Sequence, residues 1–201
     1  MLRNILITLY YPADGYDRLR RKMPYGQALV LYACVCIMTV LQVLFTHQPL
    51  AVVRPEEANL FFEICKVMVP LLTFVLVSYG MSTLNDGEAR LGAVFISTAF
   101  SMLPYLLMTP LLIALSRVLS LSDAAIYYGL TALVWVWVLY QFYRQVNILN
   151  NYTLPQTVGL ILLTLCGMLA LWALLVLLYF LSRNLFQFLQ EIWMELYLLF
   201  S

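Results

Sequence analysis

Five long apolar runs between residues 26 and 182 constrain this chain more than any other feature of its sequence. A helix needs about 20 consecutive apolar residues to cross the hydrocarbon core of a bilayer, and each run is about that long. The five runs are residues 26–46, 60–80, 92–119, 124–143 and 158–181. They predict an all-α, polytopic membrane protein with five transmembrane helices.

The composition supports this prediction. Of the 201 residues, 64% are hydrophobic and 10% are charged, which leaves too few polar side chains to cover a water-soluble globule. The net charge of +1 gives no indication of a nucleic-acid partner. We therefore expect that most of the surface of this protein contacts the lipid bilayer.

Basic residues in the connecting segments predict the orientation, because cytoplasmic flanks retain Lys and Arg in excess. Five spans place the two termini on opposite sides. If the N-terminus is cytoplasmic, the inner side carries Arg3, Arg18, Arg20, Arg21, Lys22, Arg90 and Arg144, and the outer side carries Arg54, Arg117 and Arg183. The excess favours a multi-pass protein of the cell (cytoplasmic) membrane with its N-terminus inside and its C-terminus outside.

The N-terminal segment is predicted to form two short helices at the membrane interface. Apolar residues at helical spacing line one side of the first helix, which Pro12 ends, and Thr8 lies on the other side. Asp14 stands where an N-cap would, so residues 15–22 are expected to form the second helix.

The C-terminal segment, residues 183–201, is predicted to be an amphipathic helix at the interface, with docking against the bundle as the alternative. Its polar side chains fall within one arc of a helical wheel. These side chains are Arg183, Asn184, Gln187, Gln190, Glu191 and Glu195. The predicted organisation is an N-terminal cytoplasmic segment (1–25), a five-helix transmembrane domain (26–182) and a C-terminal helix (183–201).

Glu63 and Lys66 are two charged residues near the start of the second predicted span. A charge at the centre of a membrane helix costs about 2.5 to 3.5 kcal/mol or more, so such residues usually have a function. These two lie in the first two turns, where they can pair at i, i+3 spacing and reach water. We expect an ion pair at the outer interface, and a proton or ion relay is the alternative.

The third span carries a stripe of hydroxyl side chains at intervals of four residues: Ser97, Ser101, Tyr105 and Thr109. The stripe suits close helix packing with interhelical hydrogen bonds, and a polar cavity is the alternative. Pro70, Pro104 and Pro110 each remove a backbone donor, so kinks are expected at these positions.

An aromatic cluster lies in the second half of the fourth predicted span: Trp135, Trp137, Tyr140, Phe142 and Tyr143. Its place near the predicted end of the span favours the interfacial aromatic belt over ligand stacking.

The sequence has no motif for catalysis. It has no G-x-S-x-G elbow and no glycine-rich phosphate loop. Its one histidine, His47, and its four cysteines make no metal-ligand spacing. We therefore expect a non-enzymatic protein without a metal or cofactor.

Several short polar segments resemble the bacterial branch of the Yip family, the Ypt/Rab-interacting membrane proteins with five spans. The segments are residues 84–90 (LNDGEAR), 94–100 (VFISTAF), 103–105 (LPY) and 11–16 (YPADGY), with Arg21 and Lys22 before the first span. The resemblance implies five helices, a cytoplasmic N-terminus and a C-terminus on the other side. Bacterial members are often encoded beside solute-importer components and have no assigned chemical activity.

The resemblance favours a scaffold or accessory subunit of a membrane complex, with a solute (ABC-type) importer as that complex. A partner protein would then dock on the cytoplasmic side, on residues Pro12, Asp14, Gly15, Arg21, Lys22, Asn85, Asp86, Gly87, Glu88 and Arg90. The alternative is a channel or transporter subunit with its own permeation path. Eukaryotic members are associated with Rab-type GTPases, but their Asp-Leu-Tyr-Gly-Pro motif is missing here, which disfavours a membrane-traffic role.

Overall fold

A computed structural model describes residues 2–47, 50 and 58–200, with the side chains of these residues except Leu2, Leu121 and 191–200. Within this part of the chain every regular element is a helix. The helices are α1 (Leu2–Tyr10), α2 (Pro12–Lys22), α3 (Tyr25–Phe45), α4 (Leu60–Leu84), α5 (Leu91–Ser101), α6 (Leu103–Ser116), a short 3-10 helix (Leu121–Asp123), α7 (Ala124–Asn150) and α8 (Leu154–Phe200). Arg54, which was counted to the outer side, lies outside the described residues.

The described helices include five segments that are long and apolar enough to cross a membrane. They are α3, α4, α5 together with α6, α7, and the part of α8 up to Gln190. The predicted all-α polytopic fold with five spans is therefore confirmed. The α5–α6 segment has the most buried residues of the five and lies at the centre of the bundle.

The central span is broken into α5 and α6 at Met102. Pro104 stands in the first turn of α6 and has no backbone N–H, so the helix ladder is interrupted just before it. Met102 leaves the helical conformation, with ψ at 1°, and its N–H donates to the Ala99 carbonyl at 3.3 Å. Pro70 and Pro110, in contrast, lie inside the continuous helices α4 and α6.

The helices α1 and α2 form a hairpin that packs on the bundle. α2 begins at Pro12, three residues before the predicted start, because the fixed φ of proline suits the first helical position. Thr8 was predicted to lie on the polar side of α1, but the prediction is wrong because this residue is fully buried. A Cβ atom on Gly15 would lie 2.5 Å from the Thr8 Cα, so the two helices meet at a point where only glycine fits.

The bundle core contains residues from α2 as well as from the spans. Tyr16 and Leu19 are 0% and 1% exposed and join a cluster that includes Ala28 and Val35 of α3 and Phe100 of α5. The second N-terminal helix is thus part of the core rather than a helix lying only on lipid. Met23, with φ at 42°, ends α2 in the left-handed conformation.

The chain divides into two compact units, residues 1–164 and 165–201. The helix α8 is continuous from residue 154 to residue 200, so the boundary predicted between residues 182 and 183 is not a helix end. Ser182, Arg183 and Asn184 include neither proline nor glycine, so nothing in the local sequence stops the helix. Side chains 173–190 are exposed, and those of Glu191 and Glu195 lie outside the described ones.

In the first unit we distinguish two ends of the bundle. The N-terminal face carries α1, α2, the α4–α5 loop (85–90) and the α7–α8 loop (151–153). The opposite face carries the end of α3 and the α6–α7 connection.

Candidate functional site

The α4–α5 loop at the N-terminal face is fixed by the end of α7. Asn150 Oδ1 accepts a short hydrogen bond from the Ser82 hydroxyl, and it also accepts from the Ala89 backbone N–H at 3.3 Å. The Tyr152 hydroxyl donates to the Asn85 carbonyl at 2.6 Å. Both ends of the loop are therefore held by the α7–α8 corner.

The loop approaches this corner closely at Gly87. A Cβ atom there would lie 2.8 Å from the Tyr152 hydroxyl and closer still to Ser82 Oγ and Asn150 Oδ1. Burial, and next the negative charge of Asp86, raise the pKa of Tyr152. The hydroxyl therefore stays protonated, as a donor to a carbonyl must be.

Glu88 connects three segments that are distant in the sequence. Its Oε2 atom accepts from Arg20 Nη2 of α2 at 2.7 Å and from Asn151 Nδ2 at 2.9 Å. The hydrogen bond from Arg20 and its positive charge, with the Asn151 bond, lower the pKa of Glu88. The carboxylate is exposed, so it holds α2, the α4–α5 loop and the α7–α8 corner together at the surface of the protein.

Most of the predicted docking residues lie at the surface of this face. Asp14, Arg21, Lys22, Asn85, Asp86, Glu88 and Arg90 are exposed, and Pro12 and Gly87 are partly buried. Gly15 is buried against Thr8 and is not part of the exposed surface. The basic residue that reaches Glu88 is Arg20, which the prediction omitted. Arg20 lies four residues after Tyr16, on the same side of α2, but a single sequence does not show that this side faces the rest of the protein.

A network of buried polar side chains lies between α2, α5 and α7. The Tyr16 hydroxyl is 2.8 Å from Ser101 Oγ and 3.1 Å from Gln141 Oε1. Ser101 Oγ donates to Gln145 Oε1 at 2.7 Å, and Gln145 Nε2 donates to Thr98 Oγ1 at 2.9 Å. All five side chains are at most 1% exposed. Each of the five side chains thus makes at least one hydrogen bond within the network, as buried polar groups usually do.

The hydroxyl stripe of the third span divides between two surroundings. Ser101 belongs to the buried network, and the Ser97 hydroxyl is buried without a hydrogen-bond partner among the described residues. Tyr105, one turn further on, donates to Gln42 Oε1 at 3.0 Å and lies 3.3 Å from Thr39 Oγ1. Thr109 donates to the Tyr105 carbonyl of its own helix at 2.7 Å.

Tyr105 also lines a cavity of about 290 Å³ between α3, α4, α6 and α7. The cavity extends from the opposite face, where Thr46 and Tyr128 lie, to Tyr105 and Trp135 near the middle of their spans. The lining residues are Thr39, Gln42, Val43, Thr46, Leu50, Glu63, Lys66, Val67, Tyr105, Tyr127, Tyr128, Thr131 and Trp135. Because α7 continues to Asn150, Trp135 lies near the middle of this helix, while the interfacial belt stays a prediction.

Glu63 and Lys66 pair on the wall of this cavity. Lys66 Nζ lies 2.5 Å from Glu63 Oε1 and 5.5 Å from the centre of the Phe62 ring. The Glu63 side chain is 12% exposed and the Lys66 side chain 46% exposed. The carboxylate of the pair is thus largely buried and its ammonium group is open to the surface. Glu63 is therefore more buried than the acidic residue of an ordinary surface ion pair.

The described residues contain no group of three His, Cys, Asp or Glu side chains that could hold a metal ion. The four cysteines are free. No protein-family model, no curated protein and no solved structure matches this chain. The resemblance to the Yip family stays a prediction from the sequence.

Proposed function

We propose that this protein is a non-enzymatic subunit of a membrane complex, with its N-terminal face as a cytoplasmic docking surface for a partner protein. The bond of Arg20 and Asn151 to a single oxygen of Glu88 carries the proposal. It joins α2 to two loops and so keeps the surface in one conformation. A preorganised surface loses less conformational entropy when a partner binds.

The charges around this bond favour a polar partner. Asp14, Lys22, Asp86 and Arg90 are exposed, and each of them makes no ion pair within the described part of the chain. Charges of both signs on a rigid surface give specificity and orient an approaching partner. The resemblance to bacterial Yip proteins favours a solute (ABC-type) importer as the complex.

The docking surface can be tested without disturbing Glu88. The double variant Asp86→Asn, Arg90→Gln removes two exposed charges, and Asn tolerates the positive φ of 53° at position 86. We expect at least about a tenfold loss of a partner that co-purifies with the wild-type protein in mild detergent. The matched control is Arg117→Gln, Asp123→Asn on the opposite face, which should keep the partner. Equal recovery with both double variants would contradict the proposal.

The proposed orientation needs a separate test, because the docking surface must face the cytoplasm. A reporter fused before Met1 and one fused after Ser201 should be found in different compartments, with the N-terminal reporter in the cytoplasm. Two reporters on the same side would contradict the five-span topology. If the N-terminal reporter were found outside the cell and the C-terminal reporter in the cytoplasm, the docking surface would lie outside the cell.

A second candidate function is a permeation path, which the polar cavity favours. The cavity ends at Tyr105, and the buried network begins at Ser101, one helical turn away. In this candidate α2 closes the path, because Tyr16 occupies the space between α5 and α7. Opening would require the α1–α2 hairpin to move away from the bundle.

The path can be tested by accessibility of single cysteines in a background without the native cysteines. A cysteine at position 105 should react with a water-soluble thiol reagent added from the side of the opposite face. Cysteines at 97 and 101 should react only when Tyr16→Ala removes the closing side chain. Protection at all three positions in both backgrounds would exclude the path.

A further inference from the structure

We propose that the cavity between α3, α4, α6 and α7 binds a compact zwitterion, with its ammonium group at Glu63 and its anionic group at Lys66. This binding site goes beyond the proposed docking function and does not require an open path through the bundle. Four observations carry it: the oppositely charged pair on the wall, the aromatic side chains, the free amide N–H groups of Gln42 and the size of the cavity.

The charges on the wall select for a ligand that is itself neutral overall. Among the described lining residues, Glu63 and Lys66 are the charged ones, and they form an ion pair. A lone cation at Glu63 would meet the Lys66 ammonium, and a lone anion at Lys66 would meet the Glu63 carboxylate. A molecule with separated opposite charges instead pairs with both, and so repays the loss of water from its charged groups.

The aromatic side chains suit the cationic end of such a ligand. Tyr105 and Trp135 have ring centres 5.7 Å apart, and so do Tyr127 and Tyr128. All four residues line the cavity. Aromatic faces attract ammonium groups, and quaternary ammonium groups are commonly bound by several aromatic rings together.

The anionic end finds a hydrogen-bond donor besides Lys66. Gln42 Oε1 already accepts from the Tyr105 hydroxyl at 3.0 Å, so its amide orientation is set. The Gln42 side-chain N–H groups then have no acceptor in the described part of the chain. They are free to donate to a carboxylate or phosphate in the cavity.

The volume limits the size of the ligand. A cavity of about 290 Å³ is at the lower end of the range for small-molecule sites. It has room for a small betaine or a phosphocholine group, but not for a large solute. A zwitterionic group can come from a free solute or from the headgroup of a lipid, since the cavity lies beside the first turns of α4, at the opposite face.

The test uses the full-length protein in nanodiscs of phosphatidylglycerol, which supply no zwitterionic lipid. Glycine betaine, which is neutral overall at pH 7, is titrated, and Trp fluorescence and calorimetry report binding. Choline and inorganic phosphate test each charge alone, and both should bind at least about tenfold more weakly than glycine betaine. A second set of nanodiscs contains phosphatidylcholine, and its co-purification with the protein reports binding of the lipid.

Three variants examine the residues. Glu63→Gln and Lys66→Met should each weaken binding at least about tenfold, and Gln42→Leu should weaken it without a change of charge. The control Asp17→Asn changes a carboxylate that pairs with Arg21 on α2, outside the cavity, and should bind as the wild type does. Gel filtration confirms that each variant is folded.

Binding of a soluble zwitterion supports a solute site, and binding of phosphatidylcholine alone supports a lipid-headgroup site. The proposal is overturned if neither a soluble zwitterion nor phosphatidylcholine binds. It is also overturned if choline or phosphate binds as tightly as glycine betaine, or if the folded cavity variants bind like Asp17→Asn. These readouts do not involve a partner protein, so they are independent of the docking proposal.

Discussion

The hydroxyl oxygens of Tyr16 and Ser101 lie 2.8 Å apart inside the bundle, although the two residues are 85 positions apart in the sequence. This hydrogen bond connects a helix that precedes all the spans to the most buried span. Through Ser101 it continues to Gln145 of α7. The α1–α2 hairpin is therefore a structural part of the bundle.

Removing the Tyr16 hydroxyl should destabilise the protein. Tyr16→Phe leaves the ring in place but takes a hydrogen-bond partner from Ser101 and Gln141, which are both buried. We expect a loss of about 1–3 kcal/mol in the free energy of unfolding, measured by thermal unfolding in detergent. Tyr179→Phe, at an exposed position of α8, is the control and should leave stability unchanged. Equal stability of the two variants would mean that the network adds nothing.

A methyl group at position 15 should separate α1 from α2. Gly15→Ala puts a Cβ atom 2.5 Å from the Thr8 Cα, a backbone atom that cannot turn aside. We expect about 1–3 kcal/mol of destabilisation and faster proteolysis of the N-terminal segment. Gly129→Ala, where a Cβ atom meets nothing within 4 Å, is the matched control and should be tolerated. The close contact would be disproved if both variants resisted protease equally.

The bond between Arg20 and Glu88 should weaken in acid. The pKa of Glu88 is lowered in the folded protein, so the bond stabilises the fold above the pKa of the unfolded carboxyl group. This contribution is lost as the pH falls through the folded pKa. Arg20→Gln should raise the pKa of Glu88 towards its usual value, as followed by NMR of the labelled carboxyl carbon. If the pKa of Glu88 were the same in Arg20→Gln as in the wild type, Arg20 would not be the main cause of its lowered value.

Breaking the Glu63–Lys66 pair should cost more than removing it. Lys66→Met leaves the Glu63 carboxylate, 12% exposed, without its cation, whereas Glu63→Gln with Lys66→Met leaves no charge. We expect the double variant to be more stable than Lys66→Met alone, with a coupling of about 0.5–3 kcal/mol in a double-mutant cycle. Additive effects of the two substitutions would show that the side chains do not interact.

The five spans could be predicted because hydropathy is a local property of each segment. The break at Met102 also has a local cause, Pro104, which the sequence displays. The burial of Tyr16 could not be predicted in the same way, since its partners Ser101 and Gln141 come 85 and 125 residues later. Amphipathic spacing in α1 and α2 predicts a buried side, but it does not say whether lipid or protein covers it.

The polar sites were only partly visible in the sequence. Residues 84–90 predicted Glu88 as part of the N-terminal face. Its partner Arg20 was not predicted, because four basic residues of α2 differ only in the direction in which their side chains point from the helix. They are Arg18, Arg20, Arg21 and Lys22. Glu63 and Lys66 were paired correctly by their spacing. The cavity beside them combines side chains of four helices, and a single sequence does not reveal such an arrangement.

The position of Tyr16 also sets an order on biosynthesis. The ribosome makes α2 first, but Gln141 follows only 125 residues later, which at cellular rates of translation takes roughly 6 to 25 seconds. During that time Tyr16 can meet its partners in α3 and α5, but its hydroxyl lacks Gln141. The buried network is therefore completed only after the fourth span has been made.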